Sequence, residues 1–398
     1  MSSPRTGAGL NTGSEAAPAA EAATKEALAG LGGSDAGFGL LFVSPHHSRQ
    51  ADACLRAVRE TAGAVPLIGC VGESIVGGRR EVEGEPAVAV WMASGVGDAS
   101  TYHMEFVRTE SGAVFSGWRF APEPDCVNVL IADPFTFPVD LLLQHLNDTA
   151  PGTRIVGGMA SGGILLGESR LFVDDRVVDG GAVGVRLSGV DVRTFVSQGC
   201  RPVGSPYTVT GVEGTLVTEL GGQPPLERLK ALAASLPQSD RELLLSGVHI
   251  GRVIQAVGKA ELGSGDFLVR SVAGVDPETG ALAVSDQLDV GEIVQFHVRD
   301  AASADLDLRR VLEREVGDLG GLEPAGALLF TCNGRGSRLF DEPNHDARLV
   351  SAALGEAPIA GFFCAGELGP IGGRNFLHGF TASLAMFVAD GRSGEGPA

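Results

Sequence analysis

Two stretches of this 398-residue chain are written to one plan: an apolar run, a helix, a second apolar run, Cys-x-Gly-Glu, a Gly-Gly turn and a returning strand. The tetrapeptide stands at Cys70, Val71, Gly72 and Glu73 in the first and at Cys364, Ala365, Gly366 and Glu367 in the second. A helical crossover makes its two strands parallel, so both end on the same sheet edge. That restriction predicts an α/β (mixed α+β) chain built on a repeated strand-helix-strand-strand unit.

In the first copy 39–43 is apolar, Ser44 and Pro45 supply a cap and a proline at the first helical position, and Ala51, Cys54, Leu55 and Val58 recur at helical spacing. A buried strand over 65–69 follows, then Gly77 and Gly78, then a strand over 87–91. The other copy has a strand at 327–330, a polar loop, and a helix capped by Asn344, with Leu349, Val350 and Leu354 on one face and Gly355 as its stop. Strands at 358–361 and 380–387 complete it. A middle segment repeats the order through 128–132, 139–146, 155–158 and 182–187, but carries Met159, Ala160, Ser161 and Gly162 where the tetrapeptide would stand.

Residues 1–36 are rich in Ala, Gly, Ser and Glu without a sustained apolar period, which predicts a disordered tail; 389–398 reads the same way. From 206 to 299 the pattern changes to one helix near 226–236 and strands at 248–254, 267–272, 281–284 and 293–298, with a Pro/Gly turn at 276–280 making a hairpin. Gly, Pro and Ser concentrate near 200–206, which sets the expected division: an N-terminal domain over 37–203 and a C-terminal domain over 204–388. Each is expected to be a lobe of mixed sheets, stacked face to face with helices outside.

The formal net charge of -19 repels phosphate backbones and anionic lipid, so neither nucleic acid nor membrane is expected as a partner. The start has no signal-peptide pattern and no apolar run is long enough to span a bilayer, which places the chain in the cytoplasm. Six scattered cysteines with no Cys-x-x-Cys pair read as reduced thiols, with no zinc site.

The shared sheet edge places Ser44, His46 and His47 beside Cys70–Glu73 in one lobe, and the loop from Cys332 to Arg338 beside Cys364–Glu367 in the other. Asn333, Arg335, Arg338 and the backbone at Gly334 and Gly336 offer donors for a carboxylate or phosphate. The competing reading is a solvated turn whose arginines pair with surface acids. Glu73 and Glu367 are placed to accept a ligand ammonium or to cap the following turn, and Gly69, Gly72 and Gly366 set tight backbone beside them. Cys70 and Cys364 read as packing residues. Cys332, next to two arginines, is the candidate reactive thiol, with His345 and His297 as bases by sequence distance alone; no complete catalytic constellation is found. His46 and His47 at a helix start suit neutral imidazole, a possible haem ligand or a plain cap.

The residues Pro66–Glu73, Gly77, Gly78 and 87–91, followed by 267–270, 274–277, 291–301 (including Arg299), 330–336 and 361–370, resemble the FIST family, a pairing of N-terminal and C-terminal FIST domains. The resemblance covers about 38–388 and implies a sensor that binds a small ligand, such as an amino acid, and signals to a separate partner protein. A haem-binding, nitric-oxide-sensing branch of the family exists, but no haem-ligand motif matches His46 or another histidine, so no cofactor is expected. Eukaryotic relatives carry an F-box that this chain lacks. A cysteine-dependent hydrolase or transferase using Cys332, a haem-based gas sensor and a protein-interaction scaffold are the rival readings.

Overall fold

The structure, a computed structural model, describes residues 3–109, 112–121, 123, 125–254, 262 and 264–390. The expected tail over 391–398 lies outside the described residues. The chain divides into two compact units: Met1–Val196 with Leu308–Leu377 and Thr381–Ala398, and Ser197–Asp307 with His378–Phe380. This division differs from one at 203, because residues beyond 308 fold with the N-terminal half.

The larger unit is the repeat, present three times. Strand Phe38–Val43, helix Ala51–Ala62, strand Leu67–Val71 and strand Val88–Ser94 form the first copy; Val127–Ala132, Val139–Thr149, Arg154–Met159 and Ala182–Leu187 the second; Leu322–Cys332, His345–Ala353, Ile359–Cys364 and Ala382–Asp390 the third. In each, the first two strands pair parallel and the last returns antiparallel to the first.

Between its second and last strands each copy sends out a hairpin that joins another copy's sheet. Ser74–Gly77 and Arg80–Glu83 extend the third sheet from Ile359–Cys364. Glu367–Ile371 and Arg374–His378 extend the second from Arg154–Met159. Leu171–Val173 and Arg176–Val178 extend the first from Leu67–Val71. The exchange is cyclic, and it covers one open edge of every sheet. The inner faces of all three sheets share one core containing Phe42, Trp91, Val129, Phe330, Phe362 and Phe387. Helices pack on the outer faces. The expected α/β class, with stacked sheets and outer helices, is what forms.

The register of the repeat differs from the Cys-x-Gly-Glu match. A Cβ on Gly69, Gly157 or Gly361 would lie 1.8, 1.9 or 1.8 Å from the carbonyl oxygen of Leu41, Leu130 or Leu329, so these three glycines are equivalent. Glu73 follows Gly69 by four residues, whereas Glu367 follows Gly361 by six. Cys70 therefore matches Gly158 and Phe362, and the hairpin position of Glu367 is held elsewhere by Ile75 and Leu171. Close backbone approach sets the true alignment, and the shared tetrapeptide is offset by two residues.

The N-terminal tail is a correction. Arg5–Asn11 is a strand paired antiparallel with Val88–Ser94, and Ala16–Gly30 is a helix. Its buried face is Ala16, Ala19, Ala20, Ala23, Thr24 and Ala27, a helical period written in small residues. A Cβ on Gly7 or Gly9 would reach within 1.9 or 2.0 Å of the Ala27 or Ala23 carbonyl oxygen. The Ala/Gly composition that reads as disorder permits close helix-on-strand contact.

The smaller unit is a closed barrel in the order Cys200–Glu213, Leu216–Leu220, Leu282–Val284, Phe267–Val275, Val248–Val253 and Ile293–Arg299. Val203, Val217, Ile250, Leu282, Val294 and Phe296 fill it. The expected hairpin forms, its Asp276 accepting from Glu278 N and Thr279 Oγ1. Among the described residues no helix is long and apolar enough to cross a membrane.

Candidate functional site

Strand Leu322–Cys332 ends on the sheet edge facing the turn after Ile359–Cys364, with Cys332 and Cys364 in register. The loop then folds on itself: Arg335 N donates to Cys332 O, Asn333 N to Cys364 O, and Gly334 N to the Cys332 sulfur at 3.4 Å. Gly336 has φ +57, and a Cβ there would meet Glu83 Oε1 and the Phe363 ring at 2.7 Å.

Arg335 points inward and is fully buried. Its Nε and Nη2 donate to Asp346 Oδ2 and Oδ1 at 2.6 and 2.8 Å, while Thr331 Oγ1 and His345 Nδ1 lie 2.8 and 2.9 Å from the same carboxylate. Burial alone would raise the Asp346 carboxyl, but the Arg335 guanidinium and His345 hold it well below the usual range. Phe340 stacks on His345 at 3.4 Å and lies 5.3 Å from the guanidinium carbon. Arg335 Nη1 and Asn333 Oδ1, both buried, have no hydrogen-bond partner among the described residues.

Two more carboxyls border the network. Burial pushes Glu367 up to about 8, although its Oε2 accepts from Thr381 N and Oγ1 at 3.1 and 2.8 Å and the Cys332 thiol is a further partner. Burial, with Asp346 nearby, also pushes Glu81 up to about 8; its Oε1 accepts from Ala347 N in the first turn of helix His345–Ala353. Asn344, expected to cap that helix, accepts from Glu81 N at its Oδ1 and makes no side-chain cap. The cap comes from the exchanged hairpin.

The same hairpin brings Glu83 to Ser337, accepting from its N and Oγ at 3.0 and 2.6 Å. Glu73 pairs with the exposed Arg338, whose Nη1 also donates to Asn333 O at 2.8 Å. Two glutamates of the first copy thus meet the loop of the third, and a further one, Glu81, meets the helix start that follows it. Among the described residues no group of three or more His, Cys, Asp and Glu is placed to hold a metal ion.

The FIST N domain model matches residues 37–223 and the FIST C domain model 226–370. The chain belongs to the FIST family. An uncharacterized protein of Mycobacterium tuberculosis is 48% identical over 384 residues, covering 96% of this chain and 100% of its own length. One from Mycobacterium bovis is 48% identical over 386 residues, covering 97% and 99%. FIST domains mark a sensory family.

In this FIST protein the remaining sequence-selected residues serve other contacts. Ser44, at the position equivalent to Cys332, is buried and accepts from Ala87 N at 2.8 Å. His46 is exposed, and the buried His47 places Nε2 3.1 Å from Gly13 O, with burial lowering its pKa. Gly72 lets Phe362 approach, since a Cβ there would lie 2.9 Å from its side chain. Gly366 O accepts from Met159 N at the hairpin crossing. Arg299 lies in the smaller unit, 5.9 Å from the Phe380 ring centroid. Burial raises both Cys70 and Cys364 thiols. A cleft of about 760 Å³ lined by His103, Arg108, Thr136, Arg170 and Asp179 shares no residue with the loop.

Glu81, Glu83, Asp346 and Thr381 were missed because no local motif announces them. Thr331 and Arg335 meet Asp346 at spacings of 15 and 11, and Thr381 meets Glu367 at 14, all within one copy but with no distinctive local pattern, while Glu81 and Glu83 make their contacts across copies.

Proposed function

We propose that this FIST protein is a sensory small-molecule-binding protein whose ligand is an amino acid or a similar zwitterionic or anionic metabolite, read at the Cys332–Arg338 loop. The observation that supports this reading is the buried pair of unsatisfied groups on that one loop, a guanidinium donor at Arg335 Nη1 and an amide acceptor at Asn333 Oδ1. A carboxylate answers the first and an ammonium the second. Arg338 and Glu73 answer each other, while Asn333 Oδ1 and, beside the loop, Glu367 Oε1 are buried acceptors without a hydrogen-bond partner among the described residues, either of which suits the ammonium. A separate protein receives the signal.

Calorimetric titration with free amino acids and short carboxylates tests it. One zwitterion should bind, and Asn333→Ala and Arg335→Lys should each weaken it about tenfold or more, the worth of one charge-assisted hydrogen bond. No binding across the panel, or equal affinity in both folded variants, sinks the proposal.

A thiol-dependent transferase or hydrolase has one observation in its favour: Cys332 is partly exposed and contacts the carboxyl of Glu367, a group able to exchange a proton near neutral pH. Iodoacetamide labelling of Cys332 that shows no pH dependence below the ordinary thiol range removes this reading.

A further inference from the structure

The connection from the close-approach glycine to the exchanged hairpin takes six residues in two copies, Gly69 to Ile75 and Gly361 to Glu367, but fourteen in the other, Gly157 to Leu171. The extra length is a loop whose tip is Ile164, Leu165 and Leu166, exposed by 82, 61 and 71%. It is a built loop. Ile164 N and Leu165 N both donate to Glu168 Oε2 at 3.0 and 3.1 Å, Glu168 N donates to Leu165 O, and Arg170 holds the carbonyls of Gly167 and Ser169 at 2.8 Å. Its base is fixed where Gly162 N meets Val71 O and Ser161 Oγ accepts from Glu73 N. Three consecutive aliphatic side chains fixed in water mark a contact surface.

The same unit carries the complement. A cleft of about 590 Å³ lies between strand Gly112–Ser116 and helix Val139–Thr149, lined by Met104, Val114, Phe115, Trp118, Phe120 and Leu142. Trp118 stacks on Tyr102 at 4.6 Å, and its buried indole N–H has no acceptor among the described residues. An entering loop brings aliphatic side chains for these aromatic and aliphatic walls. Arg119, exposed and lining the cleft, is opposite in sign to Glu168 behind the loop tip.

We propose that a second copy of this chain is the occupant: Ile164, Leu165 and Leu166 of one molecule seat in the Trp118 cleft of another. The complement to the loop is on the chain itself, apolar wall for aliphatic tip and Arg119 for Glu168. The contact is between unlike patches, so it closes as a reciprocal pair or continues as an open chain.

Sedimentation equilibrium of the full chain over a concentration series tests this. Wild type should self-associate. Leu165→Asp in the exposed loop and Val114→Asp at the cleft, itself 53% exposed, should each weaken association about tenfold or more. Mixing Leu165→Cys protein with Val114→Cys protein under mild oxidation should give a disulfide-linked heterodimer. The proposal is overturned by a chain that stays monomeric at every concentration, or by association that both aspartate variants leave unchanged. Flotation of a monomeric chain with phosphatidylcholine vesicles, lost in Leu165→Asp, overturns it in favour of a lipid surface.

Discussion

Arg335 and Asp346 meet through two hydrogen bonds of 2.6 and 2.8 Å where neither is more than 1% exposed. One residue comes from a loop after a strand and the other from the first turn of the next helix, so this pair locks the crossover of the third copy into one geometry. Thr331 and His345 satisfy the same carboxylate, which compensates the desolvation of the two charges.

Asp346→Asn keeps the shape and removes the charge, leaving a buried guanidinium uncompensated. A loss of about 3–5 kcal/mol is expected. Urea unfolding measures it, and a loss below about 1 kcal/mol would mean that the pair is open to solvent.

Stability should fall as pH rises from 6.5 to 8. Glu81 and Glu367 have folded values raised from 4.5 to about 8 by burial, so the folded state holds more protons than the unfolded chain in that window and their contribution is lost as pH climbs. The histidines of the smaller unit, His249 and His297, act in the opposite sense at lower pH. Burial depresses both from 6.5 to about 4, so their contribution is present above 6.5 and lost as pH falls towards 4. Glu367→Gln should flatten the decline between pH 6.5 and 8. Urea midpoints at matched ionic strength would show it, and an unchanged slope would contradict the burial of Glu367.

The exposed Arg338–Glu73 pair should be energetically minor despite joining residues 265 apart in sequence. A double-mutant cycle should return no more than about 1 kcal/mol. A much larger coupling would show that this pair, rather than Arg335–Asp346, holds the loop.

Alanine at Gly69, Gly157 or Gly361 should be severe in all three cases, because each new Cβ meets a backbone carbonyl oxygen at under 2 Å. At least about 1–3 kcal/mol is expected from each. Thermal melts of the three variants test the equivalence directly. One neutral substitution would break the threefold register.

Much of this architecture was legible in the chain. Ala51, Cys54, Leu55 and Val58 do line the buried face of their helix, and Leu67–Val71 is the parallel strand it leads to. The Cys332–Arg338 loop does sit at a sheet edge, as a parallel crossover requires. The N-terminal helix was illegible because its buried face is alanine, whose periodicity carries little hydropathy contrast. Arg335 was readable as an anion binder but not as one whose Nε and Nη2 are already paired, since its partner Asp346 belongs to a helix whose first turn is met by Glu81 from another copy.

Apolar periodicity, helix starts and glycine turns belong to neighbours along the chain, so the sequence alone settled the repeated strand-helix-strand units and the edge on which their loops emerge. The tertiary structure decided which hairpin covers which sheet. That choice depends on free strand edges and a shared core assembled from all three copies, which leave no short-range pattern. It is why Glu73 and Glu83 meet the Cys332–Arg338 loop and Glu81 the helix after it, and why glycine contacts rather than Cys-x-Gly-Glu set the register.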